Sequence, residues 1–201
     1  MKPKRIYLIR HGETDLNKNK IIQGGTIDAS LNETGVSQAK QFYDAYKDEG
    51  IEQIFTSGLQ RTHQSVQGFI VKKLPWEQFS GLNEISWGKY DGTALFENKY
   101  YWDVIDKWKA GETDFCIQSG ESPKDVAQKQ LKVIDAIKKA PVSKLLVCMH
   151  GRAMRILLTQ LLGQSLAKMD DYAHNNLGLY LLDFDGDKFS IIERNNISHI
   201  L

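Results

Sequence analysis

The chain has 201 residues, enough for one domain with a sizeable core. Lys and Arg number 26 against 25 Asp and Glu, so the net charge is +1 and bulk-charge binding to nucleic acid is disfavoured. Hydrophobic residues make up 41% and charged residues 25%, which excludes a disordered or fibrous chain, and no apolar run is long enough to span a membrane. Met1 to Ile6 is basic but lacks the apolar stretch of a secretory signal. The two cysteines, Cys116 and Cys148, have neither metal nor redox spacing, so a reducing, cytoplasmic setting is expected.

No repeat or linker divides the sequence, and residues 1–201 read as one domain. Ile6 to Ile9 predicts a strand that runs into Arg10-His11-Gly12-Glu13-Thr14. Asn32 can cap a helix whose inner face carries Val36, Ala39, Tyr43 and Tyr46, with Gly50 as its stop. Ile51 to Phe55 predicts a second strand, ending in Thr56-Ser57-Gly58-Leu59-Gln60-Arg61. A helix is expected from Arg61 to Lys73, before Pro75. Ser122-Pro123 reads as an N-cap and first turn, followed by Val126, Ala127, Leu131, Ile134 and Ile137 on one stripe. Leu145 to Met149 predicts a third strand ending in His150-Gly151-Arg152, and Ala153 to Leu162 an apolar helix. Leu179 to Phe184 and Phe189 to Glu193 alternate around Asp185-Gly186-Asp187, a hairpin signal. Short, nearly continuous apolar strands alternating with helices imply an α/β fold, a three-layer α/β/α sandwich with a mostly parallel central sheet.

In such sheets the reactive groups gather at the carboxyl ends of the strands, where all three polar clusters fall. If the sheet forms this way, His11, His150, Arg10 and Arg61 converge. Arginine's planar fork binds phosphate oxygens through paired hydrogen bonds. An imidazole can attack phosphorus, and a second one beside it can stabilise the transferring group. The chemistry suits a phosphate monoester.

With these residues in view, the sequence resembles the histidine phosphatases, the phosphoglycerate mutase-like superfamily. The resemblance rests on Leu8-Ile9-Arg10-His11-Gly12-Glu13-Thr14 with Asn17, on Gly25 to Gly35, and on Ser57-Gly58-Leu59-Gln60-Arg61-Thr62. It continues with Leu82 to Gly92, Ser119-Gly120-Glu121-Ser122 and Val147-Cys148-Met149-His150-Gly151, six segments in the family's order. It implies a phosphoglycerate mutase-like fold, with residues 76–120 holding the acid-carrying segment and a lid. It implies His11 as the nucleophile that becomes phosphohistidine, with Arg10, Arg61 and His150 binding the phosphoryl group. Glu84 would protonate the leaving oxygen and then activate water, and Asn17 would lie beside the substrate. No metal and no cofactor is needed on this reading, because arginine and histidine supply the positive charge. Gly58, Thr62 and Ser30 depart from the residues usual in the family, as does Gln118-Ser119-Gly120-Glu121, without removing any of these groups.

Plainer readings stand beside these. Arginines after strands are often surface ion-pair partners, and Glu77 and Asp91 are rivals to Glu84 as the acid. Glu13 and Glu121 are as readily structural as functional; Glu121 could orient a catalytic group or the loop. His63, His174 and His199 read as structural, with a place at the rim left open for His174. Residues 76–108 hold nine of the 20 aromatics, including Phe96, and of these Tyr100, Tyr101 and Trp102 are candidates to touch the substrate.

The expected partner is a small phosphorylated metabolite, with no nucleic acid and no membrane; a homodimer is left open. A phosphatase is favoured over a phosphoglycerate mutase, because mutases of the family are generally longer. A non-catalytic phosphate-binding module is the third reading, and the presence of His11, Arg10, Arg61, Glu84 and His150 argues against it.

Overall fold

The computed structural model describes residues 1–95 and 99–200. The chain runs β1 (Lys4–Arg10), α1 (Asp15–Lys18), α2 (Glu33–Tyr46), β2 (Gln53–Thr56), α3 (Gln60–Ser65), α4 (Gln67–Ile70) and β3 (Trp76–Gln78). It continues with α5 (Lys99–Lys109), α6 (Pro123–Lys139), β4 (Lys144–Met149), α7 (Gly151–Leu161), β5 (Leu179–Phe184) and β6 (Phe189–Asn196). The strands form one sheet in the order β3-β2-β4-β1-β5-β6. The first four are parallel, and β5 and β6 form the antiparallel hairpin at one side.

Successive side chains of a strand point to opposite faces, and here both faces are buried. Ile6 and Leu8 of β1 join Leu145, Val147 and Met149 of β4 against the apolar sides of α5, α6 and α7. Tyr7 and Ile9 join Leu146 and Cys148 on the other face, against Phe42 of α2 and Phe69 of α4. The three-layer sandwich is therefore present. Cys148 is a small core residue of the second face.

Local signals explain three of the helix starts, those of α1, α2 and α6. Asn32 caps α2 by accepting from the Gly35 N–H, and Ser122 with Asp125 forms a capping box on α6. The inner faces differ from the expected stripes. Val36 is 58% exposed and Leu131 is 49% exposed, while Gly35, Phe42, Gln130 and Val133 are buried. Gln130 is accommodated because it donates to Ala153 O and accepts from Gln160. The helix expected over residues 61–73 is broken into α3 and α4 at Val66, whose φ is −115°. Just before the break, Ser65 turns its hydroxyl back onto the Arg61 carbonyl at 2.6 Å and also accepts the Gly12 N–H. Such back-bonding competes with the helix and bends it.

The sheet register brings the two histidines together. Arg10 pairs with Met149 across the parallel β1–β4 ladder, and the His11 N–H donates to Met149 O at 2.9 Å. His11 and His150 thus leave two adjacent strands side by side. The turn after β1 packs on the start of α2, where a Cβ on Gly12 would lie 2.8 Å from Gly35 O and one on Gly35 would collide with Glu13 O. Among the described residues no helix is long and apolar enough to cross a membrane.

Candidate active site

A cavity of about 530 Å³ opens at the carboxyl ends of the parallel strands. Arg10, His11, Asn17 and Glu84 line it. Arg61 and His150 do not; they are fully buried. The rings of His11 and His150 lie 5.1 Å apart between centroids.

His11 Nδ1 sits 2.7 Å from Gly12 O, and a carbonyl can only accept, so the ring proton is on Nδ1. The lone pair is then on Nε2, the geometry a nucleophile needs. Burial, followed by the charges of Arg61 and Arg10, holds the His11 pKa well below the usual imidazole range. The ring is neutral at pH 7.

Arg61 donates from Nε to His150 Nδ1 at 3.1 Å and from Nη1 to Ile27 O at 2.6 Å. The His150 proton is consequently on Nε2, donated to Ser57 Oγ at 2.8 Å. Ser57 Oγ also accepts the Leu59 N–H and meets Thr62 Oγ1 at 3.0 Å. Both ring nitrogens of His150 are engaged, so it bears on a ligand through the guanidinium that it holds unless one bond yields. Arg61 Nη2 and Arg10 Nε are buried donors with no partner among the described residues. Orphaned guanidinium donors are costly unless an anion meets them. Burial, opposed by the charge of Glu84, brings the pKa of both arginines down to about 10, so both stay charged at neutral pH.

Glu84 reaches the cavity from the loop after Asn83. Its Oε1 accepts the N–H groups of Ile85 and Ala153, and its Oε2 that of Arg152, so it covers the N-terminus of α7. The loop is clamped from two sides. The Gly25 N–H donates to Ile85 O, while Ser86 and Glu121 exchange two bonds at 2.8 and 2.9 Å. Glu121, left open by the sequence, orients this loop. The rival acids lie elsewhere: Glu77 accepts from Gln53, Asp91 accepts from Thr26, and neither lines the cavity. Asn17 holds the turn as part of the α1 capping box and accepts from Asn176. The departures at positions 58 and 62 add bonds. The Gly58 N–H, which a proline lacks, donates to Asn83 Oδ1, and the Thr62 hydroxyl donates to Leu59 O.

His174, for which a place at the rim was left open, accepts from Arg10 Nη1 at 3.3 Å and lies against Gly151, so it is part of the site's wall. Sequence reasoning missed Asn176, which donates to His11 O at 2.9 Å. The signal was the hairpin: β5 runs antiparallel to β1, with Leu179 opposite Ile9, so the segment before β5 must lie at the carboxyl end of β1. Arg152, Arg155 and Asp170 also line the cavity. Of the candidate aromatics, Tyr101 and Trp102 line it, whereas Tyr100 stacks on Tyr90. Phe96 lies outside the described residues. His63 donates to Ser57 O, and His199 packs between Phe42 and Tyr46, both structural contacts.

The model of the histidine phosphatase superfamily (branch 1) matches residues 6–197. The chain is 29% identical to a broad-specificity phosphatase of Saccharomyces cerevisiae, over 98% of this chain and 87% of that protein. It is also 29% identical to a phosphoglycerate mutase of Schizosaccharomyces pombe, over 80% of this chain and 81% of that one. The solved structure of Bacillus stearothermophilus YhfR has the same fold, with a TM-score of 0.86 and 24% identity over 98% of this chain and 100% of that one. With the match spanning nearly its full length, the chain belongs to the histidine phosphatase superfamily and is a phosphoric monoester hydrolase of that family.

Proposed function

We propose that the chain hydrolyses a small phosphorylated metabolite through a phosphohistidine at His11, without a metal. The observation that carries the reading is the His11 tautomer. Gly12 O fixes the proton on Nδ1, leaving the Nε2 lone pair on a ring that lines the cavity beside two guanidiniums with unmet donors.

In the first step His11 Nε2 bonds to phosphorus as the ester P–O bond breaks. The leaving oxygen takes a proton from the Glu84 carboxyl group, carried on Oε2, the oxygen with one acceptor site unused. Arg10 and Arg61 meet the equatorial oxygens, and their charge does the work a cation does elsewhere. His150 holds Arg61 in place and lends a further donor when one of its own bonds yields. In the second step the Glu84 carboxylate takes a proton from water, the water oxygen bonds to phosphorus, and the N–P bond breaks. Orthophosphate leaves with Glu84 protonated again. Asn17 and Asn176 fix the turn that carries His11.

The stability of a trapped label distinguishes the chemistry. A substrate labelled in its phosphoryl group, quenched in alkali during turnover, leaves label on His11 as an acid-labile, base-stable adduct. Turnover without such an adduct overturns the mechanism. Activity is expected to survive dialysis against a chelator; loss reversed by added metal overturns metal independence.

A further inference from the structure

Beyond the groups that would meet a phosphoryl, the cavity holds a surplus of positive charge. Its far wall is built from α5, α7 and the short helical turn Leu166–Asp171. Arg152 and Arg155 lie one turn apart on α7 and share one oxygen of Asp170, with Arg152 Nη1 at 2.5 Å. Lys109 of α5, whose Nζ lies 3.9 Å from Asp106, and Lys20 line the same space. With Arg10 the lining holds five cationic side chains against the carboxylates of Glu84 and Asp170.

Both arginines meet Asp170 through Oδ1, while its Oδ2 is buried without a partner among the described residues. Two guanidiniums on one carboxylate leave a net positive charge that a further anion would offset. Arg155 Nε is likewise buried without a partner among the described residues. Burial and then the charge of Arg152 lower the Arg155 pKa. The Arg152 guanidinium is braced over Trp108, 5.8 Å from the ring centroid, so it cannot swing to solvent without losing that support. The α7 N-terminus does not compete for a ligand here, because the Arg152 and Ala153 N–H groups are taken by Glu84. The same lining includes Trp87, Tyr101, Trp102 and Ile105.

We propose that Arg152, Arg155 and Lys109 form a second anion subsite, which holds a carboxylate or second phosphoryl group of the same substrate whose phosphomonoester meets His11. The substrate is then a small bis-anionic ester, with an apolar or planar part between its charged ends. The subsite rests on the phosphatase reading and narrows its substrate class.

The test uses matched esters: phenyl phosphate, 4-carboxyphenyl phosphate and 1,4-phenylene bisphosphate. The wild-type chain is expected to prefer the carboxylated ester by about 10-fold or more in kcat/KM, the worth of a charge-assisted hydrogen bond. A bisphosphate preferred over the carboxylate identifies a phosphoryl group as the second anion, and the reverse order identifies a carboxylate. Arg152→Met keeps the stem over Trp108 and should collapse the preference toward unity. Lys109→Met, an exposed change that leaves the fold intact, should lower it about two- to three-fold in the range of an exposed charge contact. The ratio cancels any loss shared by both esters. No wild-type preference, or an unchanged ratio in both variants, overturns the subsite while leaving the phosphatase reading standing. No hydrolysis of any ester overturns that reading itself, and the subsite with it.

Discussion

Arg61 donates its Nε proton to Nδ1 of His150, and this one bond sets the proton positions of the buried cluster. It forces the His150 proton onto Nε2, and that proton forces Ser57 to accept. The ring, the guanidinium and the hydroxyl form a chain with one consistent direction.

Arg61→Lys breaks that chain. A lysine ammonium is a compact charge and cannot reach His150, Ile27 O and a ligand from a rigid fork. We expect kcat/KM to fall about 10²–10³-fold, the cost of removing a preorganised donor. Steady-state kinetics beside a circular dichroism check of folding would decide it. Wild-type turnover in the lysine variant would remove Arg61 from the phosphoryl site.

Glu84→Gln is expected to slow turnover of an alkyl phosphate by about 10²–10⁴-fold. The loss in phosphoenzyme formation should be smaller for p-nitrophenyl phosphate, whose leaving oxygen needs little proton donation. Single-turnover measurements with both esters separate the two steps. Equal losses in that first step would show that the carboxyl group supports structure and not proton transfer.

Acidification should destabilise the fold earlier than carboxylate titration alone allows. His11, His150 and His174 are all held well below 6.5, chiefly by burial. In the unfolded chain each takes up a proton as pH falls through 6.5, while the folded chain does not. The unfolded state then binds more protons, so stability is fully present above 6.5 and declines below it, by up to ~1.4 kcal/mol per ring per pH unit. Urea midpoints taken between pH 7.5 and 5 would show the slope. Replacing His174 by Asn should flatten it; a midpoint independent of pH across that window would contradict neutral buried rings.

Gly35→Ala should damage activity from a position that touches no ligand. The added methyl meets the Glu13 backbone and must push α2 away from the turn that carries His11. Overpacking of this kind costs about 1–3 kcal/mol. A lowered thermal midpoint together with reduced kcat is expected. A stable variant of unchanged kcat would mean that the turn is free to shift.

Much of the candidate site was legible because it sits on local signals. Arg10 ends a buried strand, His11 and His150 follow buried strands, and Asn32 and Ser122 cap helices in the expected way. Other features depend on partners that no local pattern names. Val36 has the right spacing for α2, yet the helix turns Gly35 inward because only a residue without a side chain fits against Glu13. Gln130 displaces Leu131 from the core because Ala153 and Gln160 satisfy its amide. The break at Val66 follows from a Ser65 hydroxyl shared with Gly12, a residue 53 positions away. Asn176 was hidden by topology, and the rim place left open for His174 is settled only once β5 is laid antiparallel beside β1.

The two ends of the cavity are anchored in different layers of the molecule. The reacting end hangs on the β1–β4 ladder, where Arg10 faces Met149 and a slip of one residue would part the histidines. The far end hangs on α5, α7 and the turn bearing Asp170, outside that ladder. On the proposed reading, exchanges at Arg155 and Lys109 re-tailor what the molecule accepts while the His11 end stays in register. Chemistry and selectivity would then be separately heritable.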